Sequence, residues 1–212
     1  MGAVLDRPDV GQRGPLGPAG PPPDGGDDRR DGSGGLAADT TRFGVQLFLG
    51  TLSMLFIGFT SAYLVRRAAG DWRPLSAPPI VWVNTLVLLA SSLTLELARR
   101  RQRDWRLSAV QGWVAATGAL GALFVAGQLA TWRALARQGI FLATNPHSSF
   151  FYMLTGIHGL HLLVGLVWFS VVLARVRRLA YTPGEDGLGS FATYWHFLDG
   201  LWLYLAVLLF VF

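Results

Sequence analysis

Phe150-Phe-Tyr-Met-Leu-Thr-Gly156-Ile-His158-Gly-Leu-His161-Leu-Leu-Val-Gly165 reads as the first half of a long apolar segment with imidazoles one turn apart. From Ser149 to Ala174 the segment holds no aspartate, glutamate, lysine or arginine. A helix needs roughly 20 predominantly apolar residues to cross the bilayer core, so this run predicts a transmembrane helix. A second stretch of the same kind follows, Tyr194-Trp-His196-Phe-Leu-Asp199-Gly-Leu-Trp202. Histidine and aspartate are costly in hydrocarbon and call for partners inside a protein.

Working outward, apolar runs of spanning length recur at Phe43 to Val65, Ile80 to Ala98, Ala109 to Trp132, Ser149 to Ala174 and Phe191 to Phe212. Hydrophobic residues make up 51% of the chain and charged ones 15%, a balance suited to lipid. A soluble helical domain would show narrower apolar stripes between polar faces. The fold class expected is therefore an all-α integral membrane protein, a five-helix transmembrane bundle over residues 43–212. Residues 1–42 form a separate Pro/Gly-rich block with almost nothing apolar to bury, expected to be a disordered cytoplasmic tail. The first apolar run is too long for a signal-peptide core and is expected to act as an uncleaved anchor. With no cysteine, disulfides, iron–sulfur clusters and thiolate metal sites are excluded.

The net charge of +5 comes entirely from arginine, and its placement argues against nucleic acid. Arg99, Arg100, Arg101, Arg103 and Arg106 follow the second span; Arg175, Arg177 and Arg178 follow the fourth. The first and third loops hold fewer: Arg66, Arg67 and Arg73, then Arg133 and Arg137. The positive-inside rule puts the N-terminus and the even loops in the cytoplasm, with the C-terminus periplasmic. Arg42, Arg99, Arg175 and Arg178 are candidate contacts for lipid phosphate at the cytoplasmic edge. Trp72, Trp82, Trp105, Trp113 and Trp132 lie near span ends, as an interfacial belt requires. Gly58 with Ala62 and Gly118 with Ala122 have the spacing of small residues at helix contacts.

The intramembrane polar set is His158, His161, His196, Asp199, Glu96 and Asn84, with Gln46 and Gln128. His158 and His161 share a helix face, and Gly156, Gly159 and Gly165 leave backbone open beside them. Haem ligation needs imidazoles on opposite sides of one iron, which a pair on one helix cannot supply. His196 sits roughly two turns away in depth. A zinc site needs three or four converging ligands, and the His-Glu-x-x-His helix signature is absent. The readings that stand are imidazoles hydrogen-bonded to neighbouring helices, fixing their packing, and a proton relay near neutral pH. His196 and Asp199 are expected to pair with each other. Glu96 is expected to reach the interface and meet Arg99 or Arg100.

The two motifs quoted above, with Gly127-Gln128 before Trp132 and with Phe48-Leu-Gly and Ala62-Tyr63-Leu64-Val65, closely resemble subunit III of haem–copper cytochrome c oxidases. The likeness runs from Phe43 to Phe212. It implies a helical subunit of a bacterial terminal oxidase with no redox centre of its own, in the inner membrane. Its partners would be catalytic subunit I, which holds the haems and one copper site, and subunit II, which takes electrons from cytochrome c. Family roles it implies are support of proton uptake, protection of the catalytic core and enclosure of phospholipid; no cofactor is expected in this chain. Many members have seven helices, and this chain has the later five. Many also carry a glutamate in the first shared helix, at a position that is Leu52 here. Rival readings are the accessory subunit of nitric oxide reductase, a haem-bearing membrane anchor and a small transporter. The last would show an internal repeat and broken helices, and the sequence has neither.

Overall fold

In a computed structural model the chain forms α1 (Asp28–Arg67), α2 (Pro79–Arg103), α3 (Leu107–Arg137), α4 (Pro146–Arg177) and α5 (Gly187–Phe210). The described residues are 28–70, 72, 74–75, 78–103, 107–177 and 187–211, with side chains from 40 onward. Each helix contains a stretch long and apolar enough to cross a membrane, beginning at Thr40 in α1. The all-helical, five-span reading holds. The helices outrun the apolar runs at several ends, because backbone hydrogen bonding continues into arginine-rich turns past the hydrocarbon. α1 starts inside the segment read as tail. No proline follows Pro23 until Pro74, and an established helix adds one bond per residue as it extends.

Four helices close a ring in which α2 meets α3, α3 meets α4, α4 meets α5 and α5 returns to α2. α1 stands outside it, against α4 and α5 only among the described residues. Half of the most apolar window of α5 is buried, against 22% for α1, so α5 is the element around which the others pack. Its Trp195, Leu198, Trp202 and Leu205 are almost wholly enclosed.

Close approach in the ring is bought with glycine. A Cβ on Gly118 would lie 2.2 Å from the Phe169 ring, and one on Gly121 2.8 Å from Trp195. At Gly165 it would sit 2.9 Å from Tyr194. Gly58 and Gly159 have nothing within 4 Å, so those two expected packing positions are open. α3 ends in a Schellman motif: the Ile140 and Gly139 amides donate to the Leu135 and Ala136 carbonyls, at 3.0 Å each. Gly139 supplies the left-handed residue that motif needs, with φ of 74°.

The tightest of these contacts makes a test. A Cβ at Gly127 would lie 2.0 Å from Asn84 Oδ1, and Asn84 Nδ2 holds the Phe124 carbonyl at 3.1 Å. Gly127→Ala is expected to cost about 1–3 kcal/mol by overpacking. Gly159→Ala, facing open space, should leave stability unchanged. Thermal unfolding midpoints of the detergent-solubilised variants measure both, and equal midpoints would refute the packing account.

Candidate functional site

The polar side chains converge on the seams of the ring. On the α2–α5 seam, Trp195 Nε1 donates to Ser91 Oγ and Trp202 Nε1 to Thr85 Oγ1, each at 3.0 Å. Those hydroxyls pass their own protons to the Leu88 and Val81 carbonyls on α2, at 2.8 and 2.9 Å. Each hydroxyl thus joins an indole N–H to a backbone oxygen, leaving neither unsatisfied in a region with no water. Seven residues separate the indoles on α5 and six the hydroxyls on α2, which fits an antiparallel pair. Thr94 and Thr117 hydroxyls meet at 2.9 Å between α2 and α3.

His196 joins this seam: its Nδ1 and the Ser92 hydroxyl are 2.5 Å apart. The expected His196–Asp199 pair does not form. Residues three apart on a helix diverge by a sixth of a turn, and His196 turns onto α2. Asp199 is 4% exposed, and neither carboxylate oxygen has a hydrogen-bond partner. The Ser92 hydroxyl interacts with it but lies outside hydrogen-bond geometry. Glu96 meets Arg99 at 3.1 Å and Arg100 at 3.3 Å, as its depth suggested.

The α4 histidines part company. His161 turns toward α1, its ring 6.1 Å from Phe48 and 6.4 Å from Phe56. Leu52 lies one turn from each phenylalanine, so it faces His161, and it is buried. His161 Nδ1 bonds the Ile157 carbonyl of its own helix, and the His161 carbonyl accepts from Tyr194 Oη at 2.7 Å. His158 instead enters the ring between Trp202, at 5.4 Å, and Phe124, at 6.4 Å. It is 1% exposed and neither ring nitrogen has a partner, so the expected bond to a neighbouring helix is missing. Gln128 on α3 is in the same condition.

One structural histidine escaped the sequence reading. His147 Nδ1 accepts the Leu75 amide at 2.7 Å, and Nε2 donates to the Leu209 carbonyl at 3.0 Å. One side chain ties the α1–α2 loop and the end of α5 to the start of α4. Trp72 stacks on it at 5.0 Å, and Tyr63 packs on Trp72 edge-on. Its signal was position, directly after Pro146 at a helix start, rather than depth in an apolar run.

Beside α1, a cleft of about 990 Å³ opens between α1 and the start of α4, lined by Gly58, Ala62, Val65, Arg66 and Phe150. Arg42 and Arg175 are exposed, Arg99 is engaged by Glu96, and Arg178 lies outside the described residues. Among the described residues no three His, Asp or Glu side chains gather as a metal site would need.

His147→Ala is expected to leave the Leu75 amide and Leu209 carbonyl unpaired, at about 1–3 kcal/mol each for buried groups. Amide hydrogen exchange at Leu75 should rise, and His147→Phe, which keeps the stack on Trp72, should raise it equally. Unchanged exchange in both variants would refute the tie.

A family model described as Cytochrome c oxidase subunit III matches residues 34–212. A cytochrome c oxidase subunit 3 from Synechocystis sp. is 34% identical over 180 residues, covering 82% of this chain and 76% of the relative. A probable cytochrome c oxidase subunit 3 from Nocardia farcinica is 34% identical over 76% of this chain and 82% of its own. A cytochrome bo(3) ubiquinol oxidase subunit 3 from Pseudomonas putida is 30% identical over 77% and 81%.

Proposed function

The chain belongs to the cytochrome c oxidase subunit III family, and from that premise we propose that it is a non-catalytic subunit of a bacterial aerobic terminal oxidase. The family match across all five spans carries this reading. The chain buries part of catalytic subunit I, holds phospholipid, and supports proton uptake while subunit I reduces oxygen and pumps protons. Haem and copper belong to subunits I and II. The polar side chains that bond across the seams of this chain serve helix packing. The indole–hydroxyl bonds of the α2–α5 seam and the His196–Ser92 contact support that role.

Lipid holding is supported by the cleft between α1 and α4. Arg42 and Arg175 stand at the opposite end of the bundle, where they can meet phosphate of the cytoplasmic leaflet. A proton-antenna role tied to a carboxylate in α1 is set aside, since Leu52 faces His161 there. Of the tail read over residues 1–42, the part up to residue 27 lies outside the described residues, and residues 28–39 extend α1 ahead of its membrane-length stretch. The protein lies in the inner membrane, N-terminus cytoplasmic and C-terminus periplasmic. The greater arginine content of the even loops supports that orientation.

Affinity purification from native membranes in mild detergent should recover a haem-bearing subunit I and a subunit II. Recovery of neither refutes the assignment, and recovery of nitric oxide reductase subunits replaces it. A reporter fused after Phe212 should be active as a periplasmic enzyme, and cytoplasmic activity would invert the topology.

A further inference from the structure

Two grooves on the α3–α4 pair run into one another, and an arginine stands at their mouth. The first, of about 310 Å³, lies where α3 ends and α4 begins, with Arg133, Ala136, Phe141 and Tyr152 among its walls. The second, of about 260 Å³, shares Leu129 and Trp132 with it and continues deeper along Val125 and Gly159 to Leu163. We propose that this continuous groove binds an anionic phospholipid of the periplasmic leaflet, its phosphate at Arg133 and one acyl chain laid along α3 and α4 toward Leu163.

Charge and its placement point to a headgroup. Arg133 directly follows the apolar run that ends at Trp132, the depth at which lipid phosphate begins. It is exposed and pairs with no carboxylate among the described residues. Arg137 is exposed one turn further along the same face. The positive-inside rule accounts for the arginines of the even loops but gives no reason for these two on the periplasmic side. The other polar side chains of the first groove are already engaged. Tyr152 Oη donates to the Ile140 carbonyl at 2.8 Å, and Trp132 Nε1 to Thr155 at 3.2 Å. Arg133 is thus the one uncommitted polar side chain that this groove presents among the described residues. No described aspartate or glutamate lines either groove, so the amine of a zwitterionic headgroup would find no counter-charge, and an anionic headgroup is favoured.

Depth and surface suit an acyl chain below it. From Arg133 to Val125 is roughly 12 Å along α3, and from Tyr152 to Leu163 roughly 16 Å along α4, at 1.5 Å per residue. One leaflet is roughly half of a hydrocarbon core about 30 Å thick, so the groove follows a chain from its headgroup to the midplane. His158 and Gln128 border the deeper groove but turn only carbon to it, since their nitrogen and oxygen atoms are enclosed. Leu160 and Leu163 at its edge are 60% and 49% exposed, so a lipid can enter sideways. A Cβ on Gly159 would meet nothing within 4 Å, which leaves a trough in α4. The site shares no lining residue with the α1–α4 cleft, and only its leaflet rests on the orientation proposed above.

The test uses the full chain in its native complex, reconstituted in phosphatidylcholine nanodiscs doped with a phosphatidylglycerol whose acyl chain carries a diazirine. Label is mapped on this chain's own peptides, so the result is independent of which subunits copurify, and copurification separately tests the oxidase assignment. Label is expected between Val125 and Ala136 and between Tyr152 and Leu163. Added phosphatidylglycerol should displace it, and an equal addition of phosphatidylethanolamine should not. Arg133→Gln should lower this label roughly fivefold and erase the preference between the two lipids, whereas Arg133→Lys should keep the preference. Gly159→Leu, which fills the trough, should lower label by a similar factor. Gly58→Leu, in the α1–α4 cleft, should leave it unchanged. Arg133 is exposed, so its replacement does not threaten the fold, and it carries the test should Gly159→Leu fail to assemble. Equal displacement by phosphatidylethanolamine, label spread evenly over the lipid-facing surfaces of all five helices, or label unmoved by both Arg133→Gln and Gly159→Leu would each overturn the proposal. So would a chain that takes no label at these two segments.

Discussion

Hydrocarbon forms no hydrogen bonds, and the architecture follows from that. A bilayer gives helices no hydrophobic reason to associate, since lipid tails are as apolar as leucine. What draws the ring together is close backbone contact plus hydrogen bonds that water cannot replace. The α2–α5 seam shows both economies at once. Trp195 and Trp202 supply the largest buried surfaces in α5, and their N–H groups are satisfied by small hydroxyls on α2. Measured intramembrane side-chain bonds are worth about 0.6 kcal/mol on average, so two such bonds orient α5 more than they weld it. The glycines under Phe169, Trp195 and Tyr194 then let dispersion contacts accumulate.

The number and kind of helices were legible in the sequence because each span is set by length and composition alone. Glu96 was legible for a related reason: a carboxylate near a helix end has arginines within reach at i+3 and i+4. The pairing of polar groups deep in the membrane was not. His158 and His161 are close in sequence yet reach different neighbours, Trp202 in the ring and Phe48 on α1. The helix rotation that divides them depends on which helix packs where, and no local pattern records it. His196 likewise chose a serine on another helix over the aspartate one turn away. Ser91, Thr85 and His147 escaped notice because their chemistry is ordinary; only their partners make them structural.

The position facing His161 shows how an imidazole is held against an apolar helix face. With Leu52 between Phe48 and Phe56, that face of α1 meets the imidazole with aromatic and aliphatic surface. His161 answers by bonding its own helix carbonyl, a local solution that needs nothing from α1. Polar contact between α1 and the ring includes Tyr204 Oη, which donates to the Thr60 hydroxyl at 2.9 Å.

The placement of α1 sets an order for the chain's biogenesis. α1 leaves the ribosome before the other spans, yet the helices it rests against, α4 and α5, are made last. Until they arrive it must live as a solitary helix in lipid, and its Thr51, Ser53 and Thr60 hydroxyls suit that by bonding carbonyls of their own helix. The seam between α2 and α5 has the same character, since its two halves are separated by the whole of α3 and α4. α2 and α3 can pair as they are synthesised, and α4 then joins α3 and α1. The ring therefore closes last, when α5 enters and meets α2, α4 and α1 together.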